Sequence, residues 1–135
     1  MKKQIEQLLT EYNISLNGTY LTVDIPTYVD KIFKNATIFT LQEREIISGF
    51  IAFYDNDSNK ESAYLTQLFV NPAYSGRSIG NKLLNFSIQY IKEKGFKNYK
   101  LEVLQNNEKA IKLYKKFNFN IVEFREKTYI MELKF

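Results

Sequence analysis

The stretch "NPAYSGRSIGNKLL", residues 71–84, joins an apolar run to an amphipathic one and places two of the chain's 5 glycines at the joint, with an arginine between them. Upstream, "AYLTQLFV" at 63–70 reads as a strand, and Pro72 stops it because proline cannot donate to a ladder. Downstream, apolar side chains at 79, 83, 84, 88 and 91 recur at helical spacing, and Gly95 follows Lys92 and Lys94 as a C-terminal stop. The pattern predicts a helix over about 77–94, and "NYKLEVLQ" at 98–105 predicts a second strand. Strand, helix and strand within 63–104 make a crossover unit, so the two strands are expected to be parallel neighbours with a right-handed connection.

The rest of the chain arranges itself around this unit. Ile5, Leu8, Leu9 and Tyr12 lie at i, i+3, i+4 and i+7 and predict a helix ending near Asn13. Pro26, with Val29, Ile32 and Phe33 on one side, predicts a short second helix to about Lys34. Between them "SLNGTYLTVDI", residues 15–25, is ambiguous. "ATIFTLQ" and "EIISGFIAFYDN" are separated by "ERE" and predict a hairpin, and "DNDSNKES" at 55–62 is a polar loop. "NNEKAIKLYKKF" predicts a helix, and "NIVEF" with "TYIMELKF" a closing pair of strands. The expected fold class is therefore α/β (α+β): one domain over residues 1–135, a mixed sheet of about six to seven strands with helices on both faces.

Composition narrows the chemistry. A hydrophobic fraction of 44% against 25% charged fits a globular chain rather than a disordered one. "MKKQIEQLLT" lacks the apolar core of a signal peptide, and no run approaches the ~20 apolar residues that span a bilayer, so a cytoplasmic protein that does not bind membranes is expected. With Cys 0 and His 0 there is no disulfide, no thiolate nucleophile, no ordinary zinc site and no histidine base, and no metal is expected. Catalysis must run on carboxylates, Tyr, Lys, Ser/Thr or backbone amides. The net charge of +4 suits an anionic ligand or a solvated lysine surface.

At the opening stretch, Gly76 and Gly80 bracket the helix start, where unpaired N–H groups and the positive end of the macrodipole make an anion site. Gly76 lets a ligand approach the backbone, Gly80 permits tight packing of the first turn, and Arg77 and Lys82 add positive charge. A plain turn whose glycines relieve strain is the structural alternative.

Taken with "KLEVLQNNEKAIKLYKKFNF" at 100–119, the chain resembles the GNAT superfamily of acyl-CoA-dependent N-acyltransferases. That family has an apolar strand ending in Val, a Q/R-x-x-G-x-G/A loop opening a helix, and later N-x-x-A-x-x-x-Y before G-F. Here "LFVNPAYSGRSIGNKLL" and "NEKAIKLYKKFNF" stand in those places, and the likeness covers about 63–119. Ser75 stands where the family has Gln or Arg, Ser78 where it has the first loop Gly, and Asn118 where it has Gly before Phe. Asparagine tolerates the left-handed conformation such a Gly adopts.

The resemblance implies that the amides of Gly76, Arg77, Ser78, Ile79, Gly80 and Asn81 cradle the pyrophosphate of acetyl-CoA, the acyl co-substrate. Leu68, Phe69 and Val70 would pair with its pantetheine arm by strand addition. Asn107 would contact the cofactor, and it is equally suited to cap a helix. Tyr114 matches the family's general acid, a phenol near ~10 beside a departing thiol near ~8.5, although it also falls on the apolar stripe of its helix.

The acceptor amine needs a base, because at pH 7 only about one alkylamine in 2,500 is neutral, a deficit of ~4.6 kcal/mol. Glu102 in "LEV" sits five residues before Asn107 and twelve before Tyr114, the spacing that the ribosomal-protein alanine acetyltransferases of the superfamily show for a base glutamate. A sheet-surface glutamate paired with lysine is its plain alternative, Tyr64 and Glu61 are reserves, and water can relay the proton. A backbone N–H at the end of the 68–70 strand is the expected oxyanion donor. Without cysteine, the acetyl group passes directly to the amine in a ternary complex.

The acceptor, a small-molecule or protein amine, is not readable from the residues, nor is the oligomeric state, with a dimer left open. Two other readings stand beside the transferase: a GNAT-like module that binds CoA or another anion without turnover, suggested by Ser75 and Ser78, and a nucleic-acid binder carried by lysines 92, 94, 97, 100, 109, 112, 115 and 116. Those lysines interleave with apolar residues at helical spacing, as on an amphipathic surface, so no nucleic-acid partner is expected.

Overall fold

The computed structural model describes residues 1–16, 18, 21 and 23–135, so part of the ambiguous stretch at 15–25 lies outside the described residues. In chain order the elements are helices α1 (Lys2–Ser15) and α2 (Ile25–Asn35), strands β1 (Thr37–Glu43), β2 (Ile46–Tyr54) and β3 (Ser62–Val70), and helix α3 (Ile79–Glu93). Strand β4 (Asn98–Leu104), helix α4 (Glu108–Lys116) and strands β5 (Asn120–Phe124) and β6 (Thr128–Lys134) follow. Among the described residues the sheet has six strands in the order β1-β2-β3-β4-β6-β5, in which β3 and β4 alone pair in parallel. The predicted crossover is therefore present, and both terminal hairpins are antiparallel.

Helix ends follow local chemistry. Asp24 caps α2 by accepting from the Thr27 N–H at 3.2 Å, with proline in the first turn. Helix α3 stops where Gly95 turns left-handed (φ 90): the Gly95 N–H donates to Lys92 O and the Phe96 N–H to Ile91 O, a Schellman motif closed by the buried Phe96. Helix α4 ends the same way with Asn118 at φ 73, the Phe119 N–H reaching Tyr114 O at 3.0 Å. Asn118 thus does what the expected Gly would do. The predicted start of α3 at about 77 moves to Ile79, because Ser78 is left-handed (φ 58, ψ 28).

Helices α1 and α2 cover one face of the sheet through Ile5, Leu9, Val29 and Ile32 against Ile47, Phe50 and Phe69. Helices α3 and α4 cover the other, with Leu83, Leu84, Ile88 and Tyr114 against Ile51, Phe53, Leu65 and Leu101. Each fully buried Phe or Ile contributes roughly 2–3 kcal/mol of transfer free energy. Among the described residues no helix is long and apolar enough to cross a membrane.

Candidate active site

The sheet opens at its centre. Parallel pairing of β3 with β4 runs only from Ser62↔Asn98 to Leu65↔Leu101, although β3 continues to Val70 and β4 to Leu104. The opening begins at a β-bulge: opposite β2 the register goes from Phe53↔Leu65 to Ala52↔Gln67, which leaves Thr66 as the extra residue. An extra residue also reverses which way the strand faces. Ala63 and Leu65 pack on the α3/α4 side, whereas Phe69 packs on the α1/α2 side, with Leu68 and Val70 now on the α3/α4 side.

Beyond the bulge the backbone of β3 presents a free edge. The Asn71 N–H donates to Ser48 O at 2.8 Å, which fixes the alternation of the antiparallel ladder. Phe69, opposite Phe50, therefore turns its N–H and C=O towards β2, while Leu68 and Val70 turn theirs towards the gap. This corrects the grouping expected from sequence, since Phe69 is committed to the ladder and only Leu68 and Val70 face the opening.

The loop after β3 supplies the second element. Asn71 Oδ1 accepts from the Ala73 N–H at 3.1 Å and its Nδ2 donates to Ile47 O at 3.1 Å, starting a 3₁₀ turn at Pro72–Tyr74. Gly76 (φ 80) and Ser78 then take left-handed conformations and α3 begins, with the Lys82 N–H making its first internal bond to Ser78 O. The N–H groups of Gly76, Arg77, Ser78, Ile79, Gly80 and Asn81 have no acceptor among the described residues. Ser78 makes no side-chain cap, and no acidic residue occupies the first turn. Such a run of outward N–H groups at a positive helix end is a concavity for an anion.

The side chains nearby do not all act as the sequence suggests. The Arg77 guanidinium reaches Glu43 at 2.7 Å and lies 5.1 Å from the Tyr74 ring centroid, so its charge is matched by β1 and its backbone N–H is what the loop retains. At Gly80 a Cβ would lie 3.6 Å from both Leu113 Cδ2 and Val70 Cγ2, ordinary contact rather than the tight packing expected. The close approach is at Gly49, which the sequence does not single out except as a lone glycine inside an apolar strand. A Cβ there would lie 2.6 Å from Ile79 Cγ2 and 2.8 Å from Phe69 O, so Gly49 lets the first turn of α3 rest on the sheet.

Ser78 carries a prediction. A serine held at φ 58 bears the left-handed penalty of a Cβ that glycine lacks. Ser78→Gly is expected to raise unfolding stability by about 0.5–1 kcal/mol, read from the urea midpoint at unchanged m-value. An unchanged midpoint would show that the left-handed serine is unstrained.

Helix α4 brings the third element. Asn107 caps it through Oδ1 to the Ala110 N–H at 3.2 Å, and its Nδ2 makes no hydrogen bond among the described residues. Tyr114 is 9% exposed, its ring centroid 5.8 Å from that of Phe119, and burial pushes its phenol up to about 12. Its hydroxyl has no hydrogen-bond partner among the described residues, while Tyr99, also deeply buried, donates to Ser87 Oγ at 3.2 Å. Lys116 Nζ donates to Asn81 Oδ1 at 3.2 Å, tying the end of α4 to the first turn of α3.

Glu102 lies on β4 just past the last paired residue, on the opposite face of the sheet from Leu101 and Val103. Its Oε2 accepts from Thr128 Oγ1 at 2.6 Å and from Arg125 at 3.4 Å, and Arg125 also holds Glu123 at 2.5 Å. Its Oε1 makes no hydrogen bond among the described residues. Tyr64 stands on the same face, its phenol raised first by burial and then by the charge of Glu102. Tyr28 of α2 reaches the bulge, its hydroxyl 2.9 Å from Thr66 Oγ1 and 3.3 Å from Thr66 O; burial pushes it up to about 12. Glu61 is placed elsewhere: it bonds Lys97 at 2.7 Å beyond the closed end of the β3/β4 pair, roughly five residues or ~17 Å from the opening, which removes it as a base.

A model of the acetyltransferase (GNAT) family matches residues 3–119. An uncharacterized N-acetyltransferase of Methanocaldococcus jannaschii is 36% identical over 75 residues, 53% of this chain and 33% of that protein. The spermine/spermidine N(1)-acetyltransferase of Bacillus subtilis is 32% identical over 90 residues, 63% of this chain and 59% of that protein. The matches thus span between about a third and three fifths of the length of these relatives. In fold, the crystal structure of the PaiA N-acetyltransferase from Thermoplasma acidophilum in complex with coenzyme A superposes with a TM-score of 0.78 at 20% identity, over 99% of this chain and 92% of that one.

Proposed function

The chain belongs to the acetyltransferase (GNAT) family, and from that premise we propose that residues 1–135 form one catalytic domain moving an acetyl group from acetyl-CoA to a primary amine by direct transfer. The observation that carries this reading is the pairing of a donor loop having no acceptor of its own with a free strand edge beside it. A ligand that uses both must join a compact polyanion to an arm with amide groups. Coenzyme A has that construction: the loop amides 76–81 suit its pyrophosphate, and the Leu68 and Val70 edge suits the amides of its pantetheine arm. Bound there, acetyl-CoA supplies an activated thioester.

The chain's own groups would then divide the labour by face. On the edge, an N–H of Leu68 or Val70 donates to the acyl oxygen as it gains charge. On the α3/α4 face, Tyr114 holds a proton for the sulfur, from a hydroxyl with no partner among the described residues to give up. On the α1/α2 face, Glu102 and Tyr64 flank the opening where an amine can enter, and Glu102 Oε1, directly or through water, takes the ammonium proton. Arg125 and Thr128 fix the carboxylate through its other oxygen.

The test is a melting curve with and without acetyl-CoA, followed by free-thiol detection against a panel of amines. The Bacillus subtilis relative is a spermine/spermidine N(1)-acetyltransferase, so polyamines head the panel, with amino acids and peptide N-termini after them. Ligand at 100 times its dissociation constant is expected to add ~2.7 kcal/mol, a shift of several degrees at this size, and a suitable amine should release thiol. A shift with no thiol released by any amine would replace the enzyme with a binding module. No shift would remove the cofactor.

A further inference from the structure

We propose that two copies of this chain associate by pairing their β1 strands antiparallel about a two-fold axis at Thr40, which joins the two six-stranded sheets into one continuous sheet. The contact uses the sheet edge opposite β5 and none of the donor-loop amides.

The ladder fixes which groups that edge presents. Phe50 turns its main-chain N–H and C=O towards β3, so Gly49 and Ile51 turn theirs towards β1, where they meet Leu41 and Phe39. By alternation the N–H and C=O groups of Ile38, Thr40 and Gln42 point out of the sheet, and none has a partner among the described residues. Proteins guard such an edge with lysine, proline, a bulge or a very short strand. The strand "TIFTLQE" carries no charge before Glu43 at its end, and its one register shift against β2 puts the extra residue on β2, at Ser48. The opposite edge is guarded: β5 has five residues, carries Glu123 and takes the extra residue of its own bulge at Val122.

Self-complementarity selects a second copy as the occupant. With Thr40 on the axis, Thr40 lies opposite Thr40 and Ile38 opposite Gln42, so every outward N–H and C=O of the three residues meets an outward group of the other copy. The same register sets Phe39 opposite Leu41 on the α3 side of the seam. There the Phe39 ring lies 5.0 Å from that of Phe86, which is 62% exposed, so Phe39, Leu41 and Phe86 of both copies close that side. Charge agrees with the antiparallel sense. Lys34, at the end of α2, stands just before the strand, and Glu43 and Glu45 stand at its far end. Antiparallel apposition brings the lysine end of one copy to the acidic end of the other and leaves Arg44 opposite Ala36, whereas a parallel pair would set like ends together. Glu43 also holds Arg77 of the donor loop, so the second copy abuts that ion pair.

The experiment is sedimentation equilibrium of the full chain, with melting temperature as the check that each variant is folded. Wild type is expected to sediment at twice the chain mass at ~100 µM, a concentration that populates a dimer of micromolar dissociation constant. Thr40→Lys sets two ammonium groups against each other across the axis and should weaken association at least about tenfold. Mixing it with Thr40→Glu should restore the dimer, because only a register with residue 40 on the axis turns those two charges into a pair. Phe86→Asp, at a side chain mostly in solvent, should weaken association as well and tests the same seam if Thr40→Lys does not fold. Phe124→Asp, on the β5 edge, should leave the dimer intact. A wild type that stays monomeric, or a dimer indifferent to Thr40→Lys and Phe86→Asp, would overturn the proposal. Dissociation by Phe124→Asp would overturn it too, by moving the contact to the other edge.

Discussion

Tyr114→Phe is expected to lower kcat by about two to three orders of magnitude while leaving coenzyme A binding and the melting temperature close to wild type. The separation follows from the surroundings of the side chain. Its ring packs against Phe119 in the α3/α4 core, and Phe keeps that packing. Its hydroxyl bonds to nothing among the described residues, so its removal leaves no orphaned partner, which is what makes most buried Tyr→Phe changes destabilising. A phenol raised to about 12 is a weak acid in water, but a thiolate leaving beside it loses hydration as well, and burial raises the thiol in the same direction. The pH profile gives a second check. Wild-type kcat/KM should climb with pH as the amine loses its proton, with no fall from Tyr114 below about pH 11. Stability limits the alkaline side first: Tyr28 and Tyr114 keep their protons to about 12 when folded and ionise near ~10 when unfolded, so the stability they allow is complete below pH 10 and is lost between 10 and 12. Full activity in Tyr114→Phe would reduce the tyrosine to a core residue.

What the sequence made legible was local. The crossover over 63–104 was readable because periodicity changes at Pro72 and the helix has a marked stop at Gly95, both determined by neighbours along the chain. The same holds for Asn118, whose left-handed turn follows from its own side chain and the Phe after it. What was not legible depends on pairing across the fold. The bulge at Thr66 exists only against β2, and it alone decides that Leu68 and Val70 face the opening and Phe69 does not. Arg77 finds Glu43 at 34 positions' distance, and Lys116 finds Asn81 at 35, too remote for any pattern of spacing to announce. Ser78 misplaced the helix start for a different reason, because serine carries no mark of a left-handed residue. The division of Tyr114 and Glu102 between two faces of the sheet likewise required the sheet.

Gly49→Ala should cost about 3 kcal/mol of stability, at the upper end of what overpacking one methyl entails, and should shrink the acetyl-CoA-induced thermal shift. The added Cβ meets two neighbours of different kinds. Phe69 O, at 2.8 Å, is backbone of the central strand and cannot turn aside. Ile79 Cγ2, at 2.6 Å, belongs to a buried, β-branched residue at the first position of α3, whose χ1 has little freedom in a helix. Leu83 Cδ1 at 3.2 Å blocks a shift towards the second turn. The remaining adjustment lifts the first turn of α3 off the sheet, and with it the amides of Ile79, Gly80 and Asn81. Stability and cofactor response therefore fall together, which a cavity or a surface change would not produce. Gly80→Ala is the matched control: its Cβ makes ordinary 3.6 Å contacts in a helical backbone, where alanine is favoured by up to about 1 kcal/mol, so it should be neutral or stabilising. The motif marks Gly80 and passes over Gly49, so the two substitutions set the sequence pattern against the packing. If Gly49→Ala matched wild type in urea while Gly80→Ala unfolded early, α3 would not be seated on β2 through the Gly49–Ile79 contact.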